Sequence, residues 1–241
     1  MTRFLSNAWV KENVEEAVRY FWETRTGQAN RSKRDQGNRK AATGGKHLWR
    51  FSEIFQEVAL GSGYTDDHVF LTPKKKRILP GYFRPTKDWD FLVVKNGRLI
   101  AAIEMKSHIG PSFGNNFNNR AEEALGNAVD FWTAYREKVF GLQPSPWLGY
   151  VMLLEDHEKA RRPTKTETFH FPVLPELDRA SYAKRYSELC SRLILERKYS
   201  AAALLVAPKH SPGEYSEPSD ELSIKRFLKS FRAHLRANIS S

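Results

Sequence analysis

The sequence predicts an α/β fold, a mixed β-sheet flanked by helices with extra helices ahead of it. Three observations carry this reading. Two amphipathic helical patterns precede the first strand pattern, a hairpin signal lies at Lys95-Asn96-Gly97-Arg98, and two later apolar runs are separated by helical spacing.

The elements follow in order. Over residues 8–23, Val10, Val14, Ala17, Val18 and Phe21 share one helical face, with Lys11, Glu12, Glu15 and Arg19 opposite. A polar stretch from Gly27 to Lys46 then holds Arg31, Lys33, Arg34, Arg39, Lys40 and Lys46 against the single acid Asp35. A second helix is expected over 48–60, with Phe51, Phe55 and Val58 inward and Gly61 as its C-cap. After a loop with Pro73-Lys74-Lys75-Lys76-Arg77, strands are expected at 90–94 and 99–106 around the hairpin turn. A glycine- and asparagine-rich loop leads to a helix over 121–140, with Ala121, Leu125, Ala128, Trp132 and Val139 as its buried stripe. Residues 147–154 and 201–207 read as buried strands. Between them a helix over 181–198 carries Tyr182, Tyr186, Leu189 and Leu193, and a last amphipathic helix covers 220–237. No internal repeat or linker divides the chain, so one domain is expected over 1–241. Its parts are a helical, basic region (1–61), a core (82–210) and a C-terminal helix (211–241).

Composition narrows the function. Lys and Arg number 39 against 28 acids, a net +11, which favours polyanions through phosphate contacts and counterion release. No apolar run approaches the roughly 20 residues that span a bilayer, and the first residues lack a signal peptide's apolar stretch. The lone Cys190, placed among core positions of a helix, excludes a disulfide framework and a Cys-rich zinc cluster. The seven histidines are scattered without a His-x₃-His pair. A cytoplasmic protein that handles nucleic acid is the expectation.

The chemistry concentrates in two segments, Asp88-Trp89-Asp90-Phe91-Leu92-Val93-Val94 and Leu99-Ile100-Ala101-Ala102-Ile103-Glu104-Met105-Lys106-Ser107. A strand sends alternate side chains to one face, so Glu104 and Lys106 point the same way, closing an otherwise apolar run. Whether Asp90 joins them depends on register. A three-residue loop with Gly97 in a bulge would pair Val94 with Arg98 and set Asp90 opposite Ala102, on the Glu104 face. A two-residue Asn-Gly turn would pair Lys95 with Arg98 and send Asp90 to the other face, unless a bulge further along restored it. Together, two carboxylates suit one or two Mg²⁺ ions, hard cations that take oxygen ligands, and the Met105 carbonyl can add another. Such an ion lowers the pKa of bound water and stabilises charge on a scissile phosphate, while Lys106 orients or helps to deprotonate the attacking water. Alone, the Asp90…Glu104-x-Lys106 pattern more often describes surface salt bridges on an edge strand; the hairpin context and the basic charge bring the nuclease reading level with that one.

These segments resemble the PD-(D/E)xK nuclease motif, and the wider sequence is similar to the XhoI-type type II restriction endonucleases. The likeness rests on Thr43-Gly44-Gly45-Lys46, on Arg84-Pro85-Thr86-Lys87 leading into Trp89-Asp90, and on Ala101 to Ser107. It continues through Gly110-Pro111-Ser112-Phe113-Gly114-Asn115-Asn116-Phe117-Asn118-Asn119-Arg120 and Glu122-Glu123-Ala124-Leu125-Gly126-Asn127-Ala128. It extends from Ala17-Val18 to about Ala207. Trp89 stands where the motif's name has proline.

The resemblance implies a PD-(D/E)xK restriction-endonuclease-like core and a homodimer of a restriction-modification system. Such an enzyme cuts double-stranded DNA at a palindrome, typically CTCGAG, leaving four-base 5′ overhangs with 5′-phosphates and 3′-hydroxyls. It assigns metal roles to Asp90 and Glu104 and the catalytic lysine role to Lys106, with Mg²⁺ and no organic cofactor or membrane partner. Asp88 competes with Asp90 for the metal role, but neighbours cannot share a face. Glu57, or Glu53 a turn earlier, is a possible extra acid from a helix before the sheet; each can also be a solvated helix glutamate. Asn115, Asn116, Asn118, Asn119 and Arg120 suit base edges or phosphates, or else a plain turn-rich loop. Thr43 to Lys46 can bring amides and a cation to a phosphate, though it lacks the Walker spacing. Lys74 to Arg77, and Lys159, Arg161, Arg162 and Lys165, read as backbone contacts or as solvated loops. Two rivals share these features, an inert DNA-binding protein and a repair or junction-resolving nuclease.

Overall fold

The first helical pattern folds as one long helix, α1 (Asn7–Ser32), which runs past residue 23 because no proline interrupts it. Val10, Val14, Ala17, Val18 and Phe21 are buried, as their spacing requires, and Trp22 joins them. The computed structural model describes residues 4–32 and 46–240, with the backbone alone at 28–32 and 46. The basic run from Lys33 to Lys40, the Thr43-Gly44-Gly45 turn and the Lys46 side chain lie outside the described residues.

A 3₁₀ turn leads into α2 (Trp49–Leu60), which buries Phe51, Phe55 and Val58. Gly61 follows as its cap but stays right-handed, with φ −67°; the left-handed residue is Gly63, φ +100°. Seven strands follow: β1 (Val69–Phe70), β2 (Ile78–Pro80), β3 (Thr86–Asp88), β4 (Phe91–Lys95), β5 (Arg98–His108), β6 (Trp147–Glu155) and β7 (Ala201–Ala207). The main sheet has the order β1-β4-β5-β6-β7, antiparallel up to β5 and parallel from β5 to β7. β2 and β3 form a separate antiparallel ribbon, unread in the sequence because each strand is only three residues long.

α3 (Phe113–Arg136) makes the crossover from β5 to β6, and α5 (Tyr182–Leu195), after the short α4 (Glu158–Arg161), leads to β7. α6 (Ile224–Ala237) closes the described chain and starts after a 3₁₀ turn at Asp220–Leu222 rather than at 220. Two apolar layers sandwich the sheet. One joins α1, α2 and α6 to Phe91, Val93, Ile103, Met105 and Val151. The other joins α3 and α5 to Leu92, Ala102, Tyr150, Met152 and Leu204. The architecture is therefore a mixed sheet with helices on both faces. No helix among the described residues is long and apolar enough to cross a membrane.

Two expectations change. The Gly/Asn-rich segment 113–120 is not a loop but the first part of α3. Phe113 stacks on Tyr182 and Phe117 packs edge-on to Tyr186, so tertiary burial outweighs the poor helix propensity of Gly and Asn. The buried stripe of α3 is also rotated, to Ala124, Ala128, Phe131 and Ala134, leaving Leu125 and Val139 exposed.

The hairpin decides the register. Asn96 and Gly97 both have positive φ (52° and 74°), and Lys95 pairs with Arg98 across a two-residue turn. Val94 then pairs with Leu99 but Val93 with Ala101, so Ile100 is an extra residue, a bulge in β5. Side chains from distant elements satisfy the disturbed backbone. Gln143 clasps Leu99 through both its amide and its carbonyl (3.0 and 2.9 Å), and His234 of α6 donates to the Ile100 carbonyl at 3.1 Å. Replacing His234 with Leu leaves that buried carbonyl without a donor. Urea denaturation is expected to register a loss of about 1–3 kcal/mol, whereas an unchanged midpoint would show that the bulge needs no latch.

Candidate active site

Beyond the bulge, Phe91 pairs with Ile103 and Leu92 with Ala102. It is Leu92, not Asp90, that stands opposite Ala102; Asp90 lies further along, level with Glu104. Its amide donates to the Ile103 carbonyl (3.2 Å), and its carboxylate accepts from the amide of Met105 (2.7 Å). Leu92 and Ala102 face the α3–α5 layer, so period two turns Asp90, Glu104 and Lys106 to that side as well, while the Met105 side chain enters the opposite core. Without the bulge the two-residue turn would have set Asp90 against the other face.

Glu104 is the buried centre, at 1% exposure. Lys106 lies 2.6 Å from its Oε1 and Lys87 2.7 Å from its Oε2. Asn127 of α3 donates to Oε1 at 3.3 Å. Lys87 comes from β3, its ammonium 4.7 Å from the ring centre of Trp89. Asn127 in turn accepts from Arg84 (2.8 Å), whose guanidinium also binds the buried Asp130 (2.9 Å). Asp130 accepts the amides of Tyr82 and Phe83 as well, both at 2.8 Å, which ties the β2–β3 turn to α3. Lys87, Asn127 and Asp130 were not singled out as site residues in the sequence. Their signal was there: Asn127 and Asp130 interrupt the apolar stripe of α3 beside Ala124, Ala128 and Phe131.

The charges interact strongly. Burial, and then the neighbouring charge of Glu104, push the Asp90 carboxyl up to about 7. Burial also opposes ionisation of Glu104, but Lys106 and Lys87 outweigh it and hold that carboxyl below its ordinary value. For Lys106, burial would lower the ammonium; Glu104 overcomes it and holds the group above its usual value. Two adjoining acids that resist joint ionisation are a donor set suited to a divalent cation between them. Glu104 Oε2 meets only the Lys87 ammonium among the described residues, so it retains a lone pair for a ligand.

The other candidates are placed as follows. Asn115, Asn118 and Asn119 are exposed along the start of α3, Asn116 caps back onto the Ser112 carbonyl at 2.7 Å, and Arg120 pairs with Glu123. Glu123 lies 3.7 Å from Lys106, which links this helix to the carboxylates. Glu57 is exposed on α2, in the other layer, with Arg50, Glu53 and Glu16 as its charged neighbours. Glu53 is held by Trp49 and Arg50. Asp88 is engaged by Arg77 (3.3 Å) and Lys74 (3.7 Å), which removes it from the carboxylate pair. Arg161 binds Asp156, and Cys190 is buried in the core.

Comparison with known proteins identifies the family. Residues 27–217 match the family described as restriction endonuclease XhoI. The chain is 49% identical over 211 residues to type II restriction enzyme BstVI of Geobacillus stearothermophilus, covering 85% of this chain and 93% of that one. It is 45% identical over 181 residues to type II restriction enzyme XhoI of Xanthomonas vasicola (74% and 73%). It is also 42% identical over 167 residues to type II restriction enzyme AbrI of Azospirillum brasilense (67% and 73%). No solved structure matches the chain.

The Asp90 shift has a thermodynamic consequence. A carboxyl whose folded pKa is raised contributes stability that is complete below its unfolded value and is lost as pH rises through the folded one. In EDTA, Asp90→Asn is therefore expected to melt increasingly above the parent as pH climbs from about 4 to 8. A constant offset across that range would contradict the shift.

Proposed function

The chain belongs to the XhoI restriction endonuclease family, the type II site-specific deoxyribonucleases, and on that premise we propose that Asp90, Glu104 and Lys106 form its catalytic centre. The observation that carries this is the convergence of two carboxylates and two ammonium groups on one face of β5. Enzymes of this type use divalent metal ions, and we assign Mg²⁺ here, held by the carboxylates of Asp90 and Glu104 with the Met105 carbonyl as a third oxygen. Once bound, such an ion supplies an activated water and stabilises charge on the phosphodiester.

The protein's own groups have distinct tasks. Lys106 is charged at neutral pH because of Glu104, so it begins as a donor that orients the water and offsets the phosphate's negative charge. Its proton would be easier to lose were the Glu104 charge shared with a bound cation. Lys87 balances Glu104 from the other side and would be available to a phosphate were a bound cation to take over that balance. Asn127 holds Glu104 in place through α3.

The products assigned are 5′-phosphates and 3′-hydroxyls, and the substrate is a palindrome, CTCGAG, as the XhoI-type resemblance implies. A palindrome demands two-fold symmetry, so a homodimer is assigned, each subunit cutting one strand. The exposed Asn115, Asn118 and Asn119, with Asn116 and Arg120, are the candidate DNA contacts on α3.

Plasmid digestion tests the reading. With Mg²⁺, discrete fragments ending at CTCGAG are expected, and none with EDTA. Glu104→Ala and Lys106→Ala should each lose roughly a hundredfold to a thousandfold or more in cleavage rate while retaining duplex binding. Normal cutting by either variant refutes the assignment, and an inert DNA-binding module would show binding without any cleavage by the parent protein.

A further inference from the structure

Past Lys106, the end of β5 meets a second group of polar side chains that the catalytic centre does not use. Arg25 of α1 donates to the Ser107 hydroxyl (3.1 Å) and lies 3.0 Å from His47 Nε2, which is itself 3.2 Å from the same hydroxyl. Guanidinium groups only donate, so His47 Nε2 is the acceptor and the ring proton sits on Nδ1. His47 is buried at 4% exposure, and its Nδ1 has no partner among the described residues. Burial, and then the Arg25 charge, hold this imidazole down at about 3, so it is neutral and cannot compete as a cation.

Among the described residues, Arg25 lacks the carboxylate partner that some other half-buried arginines have. Arg77 and Arg84 each meet a carboxylate. Arg25 meets none among the described residues; its partners are neutral, and its Nε is buried without an acceptor. Arg120, from the opposite layer and itself paired with Glu123, adds a like charge felt by Arg25, and its Nε is buried without an acceptor among the described residues. Holding cations together in a partly desolvated place is costly unless an anion arrives to join them. Arg25, Ser107 and Arg120 all retain some exposure, so an anion can reach them.

We propose that Arg25, Ser107 and Arg120 form a pocket for a DNA backbone phosphate next to the scissile one, with neutral His47 as the brace that orients the Arg25 fork. This rests on the nuclease reading above, since it presumes DNA as the substrate. Ser107 directly follows Lys106 but turns to the α1 side of β5, past the last residue that β4 pairs, so a phosphate held here lies beside the carboxylate face at the same end of the strand. A planar guanidinium offers the bidentate geometry that a phosphate accepts, which a lysine cannot reproduce.

The test is the salt dependence of duplex binding in EDTA, where the DNA stays whole, read by fluorescence anisotropy. Arg25→Met is expected to weaken binding roughly tenfold and to flatten the plot of log K against log salt by about one ion. Arg120→Gln should flatten it similarly, and Arg25→Lys should restore the slope without the full affinity. A slope unchanged in Arg25→Met refutes the pocket even if affinity falls, because loss of packing alone releases no counterion. If Arg25→Met does not fold, an unchanged slope in Arg120→Gln refutes it instead. Plasmid cleavage by the parent protein, run alongside, separates the two claims. Cutting with unchanged slopes removes only the pocket; a parent that neither cuts nor binds DNA removes the nuclease reading and the pocket with it.

Discussion

One extra residue in β5 determines where the charged groups of this protein meet. The Asn96-Gly97 turn closes the hairpin with its even register, which by period two would separate Asp90 from Glu104 across the sheet. The bulge at Ile100 adds one residue and reverses that outcome over all that follows. Both features are locally favourable, and neither requires the other. What couples them is the support around the bulge, Gln143 holding Leu99 and His234 holding Ile100. A disturbed ladder leaves backbone groups that must find partners, and here they come from the loop after α3 and from α6.

Once Asp90 and Glu104 are neighbours, the electrostatics of the site follow. Glu104 is fully enclosed and stays ionised only because two ammonium groups touch it. Asp90 has the Met105 amide but no direct cation, so it bears the cost of the pairing and resists ionisation. The result is asymmetric: one acid is permanently charged and the other is poised. A cation entering between them would relieve Asp90 and loosen the claim of Lys87 and Lys106 on Glu104. The lysines are counter-ions for a buried carboxylate, and in the proposed mechanism they would also serve as donors to a phosphate.

Much of this was legible in the sequence, for identifiable reasons. The long apolar runs of β6 and β7 and the heptad-like faces of α1 and α2 declare themselves by period, because burial on that scale admits few alternatives. Glu104 and Lys106 stood out as charges closing an apolar strand. The register did not, since the choice between turn and bulge depends on Gln143 and His234, far away in the chain. The start of α3 was hidden because Gly114 and the asparagines argue for a loop, while the opposing term, burial of Phe113 and Phe117 against Tyr182 and Tyr186, belongs to another helix. Arg25 was invisible for the same reason: nothing on α1 marks it until Ser107 and His47 arrive beside it.

The family match spans 27–217, yet two groups that shape the site lie outside that stretch, Arg25 on α1 and His234 on α6. α6 is no appendage. Phe227 and Phe231 pack against Phe55 and Trp147, and Phe231 reaches Phe91, the residue beside Asp90. The same helix that buries the underside of the sheet thus latches the bulge that aims its upper side. Because α6 packs on the layer opposite the carboxylates, His234 can be distant in sequence and still help set the geometry to within a single strand position. The chemistry is local to β4 and β5, but the register that makes it possible is a property of the whole sandwich.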